Sequence, residues 1–360
     1  MHPRFVRLRI SAWLLPLVGA ASLLADGPVV TQGALEGVPY FIAEGAPEPT
    51  GWLLYAHGFR PEDYALSAAL PIEEEPWRTW LEEGWTILAT AFRRNGWIVS
   101  DAGEDLLALE RWWEDQRARP GLVVLWGESM GAAVVTQIAE ESEQPGRYTG
   151  AVGVSPALFH PEILARVGDW SFAPQIPLLF ASNQNEMADP EHYAERADGR
   201  NVGKVAVWKI ARDGHVNLTA AENHALLEAI EGWGAGTPPD LRRDATLAAE
   251  RFASRAVWDG TTALVPVTRI DPDFGNVDLA LTVEDLDRLG VAAGELLEVV
   301  SGEVKVRALR GATYGDVSRG EWLAVILANG QVRLAINYGD AAVALGVAAP
   351  GQTVQVRAAK

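Results

Sequence analysis

The chain has no cysteine and only three methionines in 360 residues. Disulfides, thiol redox chemistry and a lipoprotein anchor are therefore excluded. Long apolar runs are also missing: past residue 25, nothing approaches the roughly 18 residues that a membrane-spanning helix needs. Repeats and low-complexity tracts are absent. Basic charge is scarce, with 30 Lys and Arg against 48 Asp and Glu and a formal net charge of −18. Such a surface repels phosphate backbones and anionic lipids, so nucleic acid is not an expected partner. What is present is a hydrophobic fraction of 48%, on a length that exceeds the usual reach of one core. Two domains are predicted.

The first residues have their own pattern. Arg4, Arg7 and Arg9 precede an apolar run over 10–18, and small residues follow over 19–22. This is the three-part layout of a secretory leader, expected over 1–25 with cleavage between Ala20 and Ala25. The remainder would be exported to a periplasmic or extracellular space, without stable membrane association.

From 28 to 236 short apolar runs alternate with amphipathic stretches, the pattern of a mostly parallel sheet with crossover helices. Strands are expected at 51–56, 86–90, 122–126, 150–154, 177–181 and 204–210, and helices at 101–114, 132–140 and 220–233. Residues 234–239 (Gly-Ala-Gly-Thr-Pro-Pro) break the pattern. The charged stretch that follows reads as a linker over 237–255 with a helical portion. From 256 to 360, short β-type runs at 296–300, 303–308, 322–327 and 332–336, separated by glycines, predict a small β-barrel or sandwich.

The most informative motif is Leu122-Val123-Val124-Leu125-Trp126 running into Gly127-Glu128-Ser129-Met130-Gly131. A serine at the apex of a sharp strand-to-helix turn needs small neighbours, and both G-x-S-x-G glycines supply them. The N-terminus of the following helix offers unpaired N–H groups to a developing oxyanion. Serine needs a base and an acid to orient it. His215, in Asp213-Gly214-His215 directly after the last expected strand of the sheet, is the best base. Tyr55-Ala56-His57-Gly58-Phe59 ends an early strand, so the amides of Phe59 and Met130 are the expected oxyanion donors, with the His57 side chain structural. The acid should follow 177–181, where Ser182-Asn183-Gln184-Asn185-Glu186-Met187-Ala188-Asp189 puts asparagine at the natural turn position. Glu186 is the favoured candidate and Asp189 the alternative. No cofactor or metal is expected.

These motifs resemble the α/β-hydrolase family over about 33–239, in the order His57-Gly58-Phe59, Gly127-Glu128-Ser129-Met130-Gly131 and Gly214-His215. The resemblance extends to an esterase-like branch of tannase or feruloyl-esterase type, through Arg93-Arg94-Asn95-Gly96-Trp97 and through Gly214-His215-Val216-Asn217 on to Trp233. It implies a small-molecule ester substrate, with amides as a further option within the same machinery. Arg93 could clamp a carboxylate and Trp97 could touch substrate. A lid segment of only about twenty residues, near 155–175, implies an open site.

The second unit carries Ile270-Asp271-Pro272-Asp273-Phe274-Gly275-Asn276-Val277, Ala312-Thr313-Tyr314-Gly315-Asp316-Val317 and Asn337-Tyr338-Gly339-Asp340-Ala341-Ala342. Together these resemble the C-terminal β-domain of the S-adenosylmethionine hydroxide adenosyltransferase and halogenase family. That resemblance implies nucleoside contacts at Phe274 and Asn276 and assembly into a homotrimer. A binding or assembly protein carrying a hydrolase-like unit is thus the alternative to an esterase.

Overall fold

The computed structural model describes residues 27–144, 146–200, 204–272 and 274–359; the leader expected over 1–25 lies outside them. The chain forms two sheets. The first contains β1 (Val29–Leu35), β2 (Val38–Glu44), β3 (Trp52–Ala56), β4 (Thr86–Thr90), β5 (Val123–Glu128), β6 (Gly150–Val154), β7 (Leu178–Asn183), β8 (Val205–Ile210) and β9 (Arg242–Asp244). Their order is β1-β2-β4-β3-β5-β6-β7-β8-β9. The β1–β2 and β2–β4 pairs are antiparallel, and all later pairs are parallel.

Strands inside a parallel sheet must be apolar on both faces, and these are. Along β3, Trp52, Leu54 and Ala56 enter one core while Leu53 and Tyr55 enter the other; β5 divides Val123 and Leu125 from Val124 and Trp126 in the same way. The first core is covered by α2 (Val99–Glu114), α3 (Met130–Glu141), α4 (Pro161–Val167) and α5 (Ala188–Asp198). The second is covered by α1 (Trp77–Glu82) and α6 (Ala220–Gly234). This strand order, with helices on both faces, is the α/β-hydrolase fold expected from the sequence.

Two features depart from expectation. The β1–β2 hairpin was not foreseen, because β1 is half exposed and lacks the apolar run of a buried strand. The stretch expected to be a partly helical linker holds no helix. Its β9 pairs with β8, Asp240 O accepts from Trp208 Nε1, and Arg243 lies over the Trp208 ring. Leu247 N donates to Glu222 Oε1. Glu222 is buried and also takes a bidentate ion pair from Arg212, so the segment is fastened to the hydrolase sheet.

The second sheet holds β10 (Val257–Asp259), β11 (Thr262–Ile270), β12 (Val277–Thr282), β13 (Leu296–Ser301), β14 (Val304–Arg310), β15 (Trp322–Ile326), β16 (Gln331–Ile336) and β17 (Thr353–Ala358). Pairing of β11 with both β12 and β17 closes a seven-stranded barrel, with β10 added alongside β11. Short helices α7 (Val283–Arg288) and α8 (Ala341–Leu345) flank it. Its core is aliphatic, built from residues such as Val265, Leu279, Leu297, Val299, Leu334 and Val356.

Candidate active site

At the end of β5 the backbone turns abruptly. Ser129 has φ 55° and ψ −116°, a conformation that an L-residue holds only when its surroundings over-determine it. Ser129 N donates to Val154 O at 2.9 Å, and Ser129 O accepts from Ala132 N at 3.1 Å and Ala157 N at 3.3 Å. The two glycines are steric requirements. A methyl group on Gly127 would lie 2.1 Å from Gly131 O, and one on Gly131 would lie 1.9 Å from Ala56 O. Met130 opens α3, where the first N–H groups have no partner within the helix. Gly58 abuts the serine closely: a methyl there would lie 3.3 Å from Ser129 Cβ and 3.9 Å from Oγ. The segments that carry Phe59 and Met130 thus approach each other at Ser129 from the ends of two strands, β3 and β5.

His57 is buried, stacks on Phe92 with ring centroids 4.2 Å apart, and has Nδ1 2.6 Å from Gly58 O. Burial first, and the charge of Arg60 second, lower its pKa to about 3. It is a neutral prop for the loop that carries Phe59. Glu128, beside the serine, accepts from Tyr55 Oη at 2.9 Å. Burial raises its carboxyl above the usual range, against the opposing pull of Tyr55 and of the His215 charge.

The segments carrying His215 and Glu186 are joined residue by residue. After β7, Gln184–Glu186 forms a single 3-10 turn. Gln184 Nε2 donates to Asp213 Oδ1 at 3.0 Å, Asn185 Oδ1 accepts from Gly214 N at 2.9 Å, and the Glu186 carboxylate straddles His215 Nδ1 at 2.9 and 3.0 Å. This ladder prolongs the parallel register of β7 and β8 into the loops. Ala211 and Arg212 are interposed before it resumes, which brings His215 opposite Glu186 rather than opposite residue 188. The Asp189 side chain faces elsewhere, accepting from Phe159 N at 3.1 Å.

Asn183 is a scaffold. It is fully buried, its Nδ2 donates to Arg212 O and Asn217 O, and its Oδ1 accepts from Asn217 N at 3.0 Å. Ser155 also holds the His215 loop, since its Oγ accepts from Val216 N at 3.0 Å while its N donates to Ala181 O. Ser129 and His215 are therefore linked through Val154, Ser155 and Val216. Ser155 and Val216 both have positive φ, 44° and 52°. For β-branched Val216 this is a marked outlier, immediately after His215. Sequence reading missed Ser155 and Asn183, although a small polar residue at the carboxyl end of a buried parallel strand is a usable signal.

Other expected site residues are dispersed. Arg93 is committed to the acids of α2: it donates to both Asp105 Oδ1 and Glu104 Oε2, and its backbone N to Asp105 Oδ2. Its fork is thus used inside the protein, a correction to the expected carboxylate clamp. Arg94 pairs with Asp101. Trp97 belongs to an aromatic row, stacked on Phe59 at 4.7 Å and on His160 at 3.9 Å. Tyr338 of the barrel continues that row, 5.2 Å from Phe59. His224 lies on α6 against Trp80 and Glu83, away from the site. In the barrel, Asn276 is buried and donates to Tyr314 Oη at 3.0 Å, and Phe274 N donates to Asp271 Oδ1. Among the described residues no cluster of three or more His, Asp or Glu could hold a metal ion.

An α/β-hydrolase sheet with a strained elbow serine and an acid-paired histidine, followed by a closed β-barrel, defines the class. Residues 265–355 match the family model of the SAM hydroxide adenosyltransferase C-terminal domain, in line with the resemblance drawn from sequence. The (R)-S-adenosyl-L-methionine hydrolase of Salinispora tropica is 38% identical over 111 residues, 29% of this chain. The chain spans only 42% of that relative's length. Solved structures similar to this chain include a hormone-sensitive lipase from a metagenome library, with 19% identity, a TM-score of 0.42 and coverage of 59% of this chain and 87% of the other. Est1E from Butyrivibrio proteoclasticus is similar at 14% identity and a TM-score of 0.40, over 58% and 98% of the two chains.

Proposed function

We propose that this chain is a serine hydrolase of carboxylic esters, exported by its N-terminal leader. The carrying observation is the Glu186 carboxylate astride His215 Nδ1, on the loop that follows β8 and tied through Ser155 to the turn of Ser129. A carboxylate at Nδ1 keeps the proton there and leaves Nε2 as the free base. In acylation the Ser129 Oγ–H proton passes to Nε2 as Oγ bonds to the ester carbonyl carbon. The carbonyl oxygen becomes an oxyanion facing the Phe59 and Met130 amides. Collapse breaks the bond to the alkoxy group, which leaves as the alcohol with the proton from Nε2. Water, deprotonated by the same nitrogen, then hydrolyses the acyl-serine. Glu186 takes no proton from the ring, holding it in place and stabilising the imidazolium.

The test is turnover of a short p-nitrophenyl ester by the wild type and by Ser129→Ala. The substitution should remove nearly all activity with the fold intact by circular dichroism; equal rates would refute the reading.

A further inference from the structure

We propose that the barrel is a working part of the hydrolase site, bracing the His215 loop through Asn217 and walling the substrate cleft with Tyr338. The inference rests on the esterase reading above.

The brace has a specific geometry. Asn217 Nδ2 donates to Asp213 O within its own loop and to Ile326 O at the end of β15, both at 2.9 Å. Its backbone is held from the other side by Asn183. The loop carrying His215 and the strained Val216 is thus gripped between a buried asparagine of the hydrolase and a carbonyl of the barrel. A cavity of about 50 Å³ lies between Gly214–Asn217 and Tyr314, Ile326 and Arg333 of the barrel. Its volume is that of a few waters, so the two surfaces come close together. The ion pair of Glu74 with Arg269, at 2.8 Å, fastens another point of the same interface.

The wall begins beside the nucleophile. Phe59 follows Gly58, where an added methyl would lie 3.3 Å from Ser129 Cβ, and its ring packs against both Trp97 and Tyr338. Tyr338 has φ 60° and is 38% exposed, and the Arg319 guanidinium sits 4.8 Å from its ring. A tyrosine held in a left-handed conformation, with its ring turned to the oxyanion loop of the other domain, is placed to select the arm of an ester next to the scissile carbonyl. Flat, apolar arms suit such a row.

Full-length Asn217→Asp, Asn217→Ala, Tyr338→Ala, Tyr338→Phe and Ser129→Ala are assayed by pH-stat on ethyl acetate, phenyl acetate and ethyl benzoate. Asp is isosteric with Asn but offers no donor to the two carbonyls; Ala repeats the test if Asp prevents folding. The Asn217 variants should lose roughly ten- to hundredfold in kcat with KM changed less than about twofold, as expected of a displaced base. Tyr338→Ala should raise KM for at least one aromatic ester roughly three- to tenfold, several times more than for ethyl acetate. Tyr338→Phe should keep the wild-type preference. Wild-type kcat in the folded Asn217 variants overturns the brace, and unchanged preference in Tyr338→Ala overturns the wall. Activity surviving in Ser129→Ala overturns the esterase reading itself, whereas a silent Ser129→Ala alongside unaffected Asn217 and Tyr338 variants removes only the role of the barrel.

Discussion

Replacing Glu186 by Gln keeps the size and hydrogen-bonding shape of the side chain and removes its charge. Its oxygens lie 2.9 and 3.0 Å from His215 Nδ1, and both side chains are 25% exposed. In the proposed mechanism His215 takes the serine proton, and the pair becomes ionic. At 3 Å that attraction is about 5 kcal/mol with an effective dielectric of about 20, and about 1.4 kcal/mol in bulk water. A quarter-exposed pair falls between these limits, so the transition state should lose about 2–4 kcal/mol, a drop in kcat of roughly 30- to 1000-fold. Gln also presents either an oxygen or an N–H₂ group to Nδ1, which unsettles the tautomer. Asp189→Asn is the matched control, because Asp189 faces the Phe159 amide; its effect on kcat should stay within about threefold. Steady-state kinetics on a short p-nitrophenyl ester, with circular dichroism to confirm folding, reads both. A larger loss in Asp189→Asn, or a Glu186→Gln enzyme within threefold of wild type, would show that the imidazole is oriented by some other group.

Two further outcomes follow from the same geometry. With its pKa lowered to about 3, His57 stays neutral in the folded protein while the unfolded chain takes up a proton near pH 6.5. Its contribution to stability is therefore complete above that pH and is lost on acidification, at about 1.4 kcal/mol per pH unit within the window. Urea unfolding from pH 7 to pH 5 should show a steeper loss of stability in wild type than in His57→Asn, and parallel lines would contradict the assignment. Gly131→Ala should abolish both soluble folding and activity, since its methyl would meet backbone carbonyls of Ala56 and His57 that cannot swing aside. Gly121→Ala, with open space around the new methyl, should change stability by less than about 0.5 kcal/mol.

Much of the hydrolase half is legible because it is local. The apolar runs entering β3 to β8 match the observed strands to within two residues at either end, and the turn at Ser129 is announced by its glycines. The acid turn could be bounded to Glu186 or Asp189 but no further, since the difference lies in which carboxylate the ladder from Gln184 to Glu186 turns toward the base. Arg93 shows a limit of another kind. Its partner Asp105 sits on the next helix, and only folding reveals that the guanidinium is already occupied. The contacts between the two units are the least legible. Asn217 meets Ile326, and Phe59 meets Tyr338, across more than a hundred residues of chain, and no periodicity or motif encodes such pairings. The barrel strands β11, β12 and β17 were missed for a related reason. Their pairing closes a ring between distant segments, and much of β11 and β17 is exposed on alternate residues.

The most direct test of the account is to treat the full chain with a fluorophosphonate probe and map the modified peptide by mass spectrometry. A single covalent adduct on Ser129, lost in Ser129→Ala and strongly slowed in His215→Ala, is the predicted result. Labelling at another residue, or none under conditions where the protein turns over an ester, would contradict the claim that Ser129, His215 and Glu186 act as one unit.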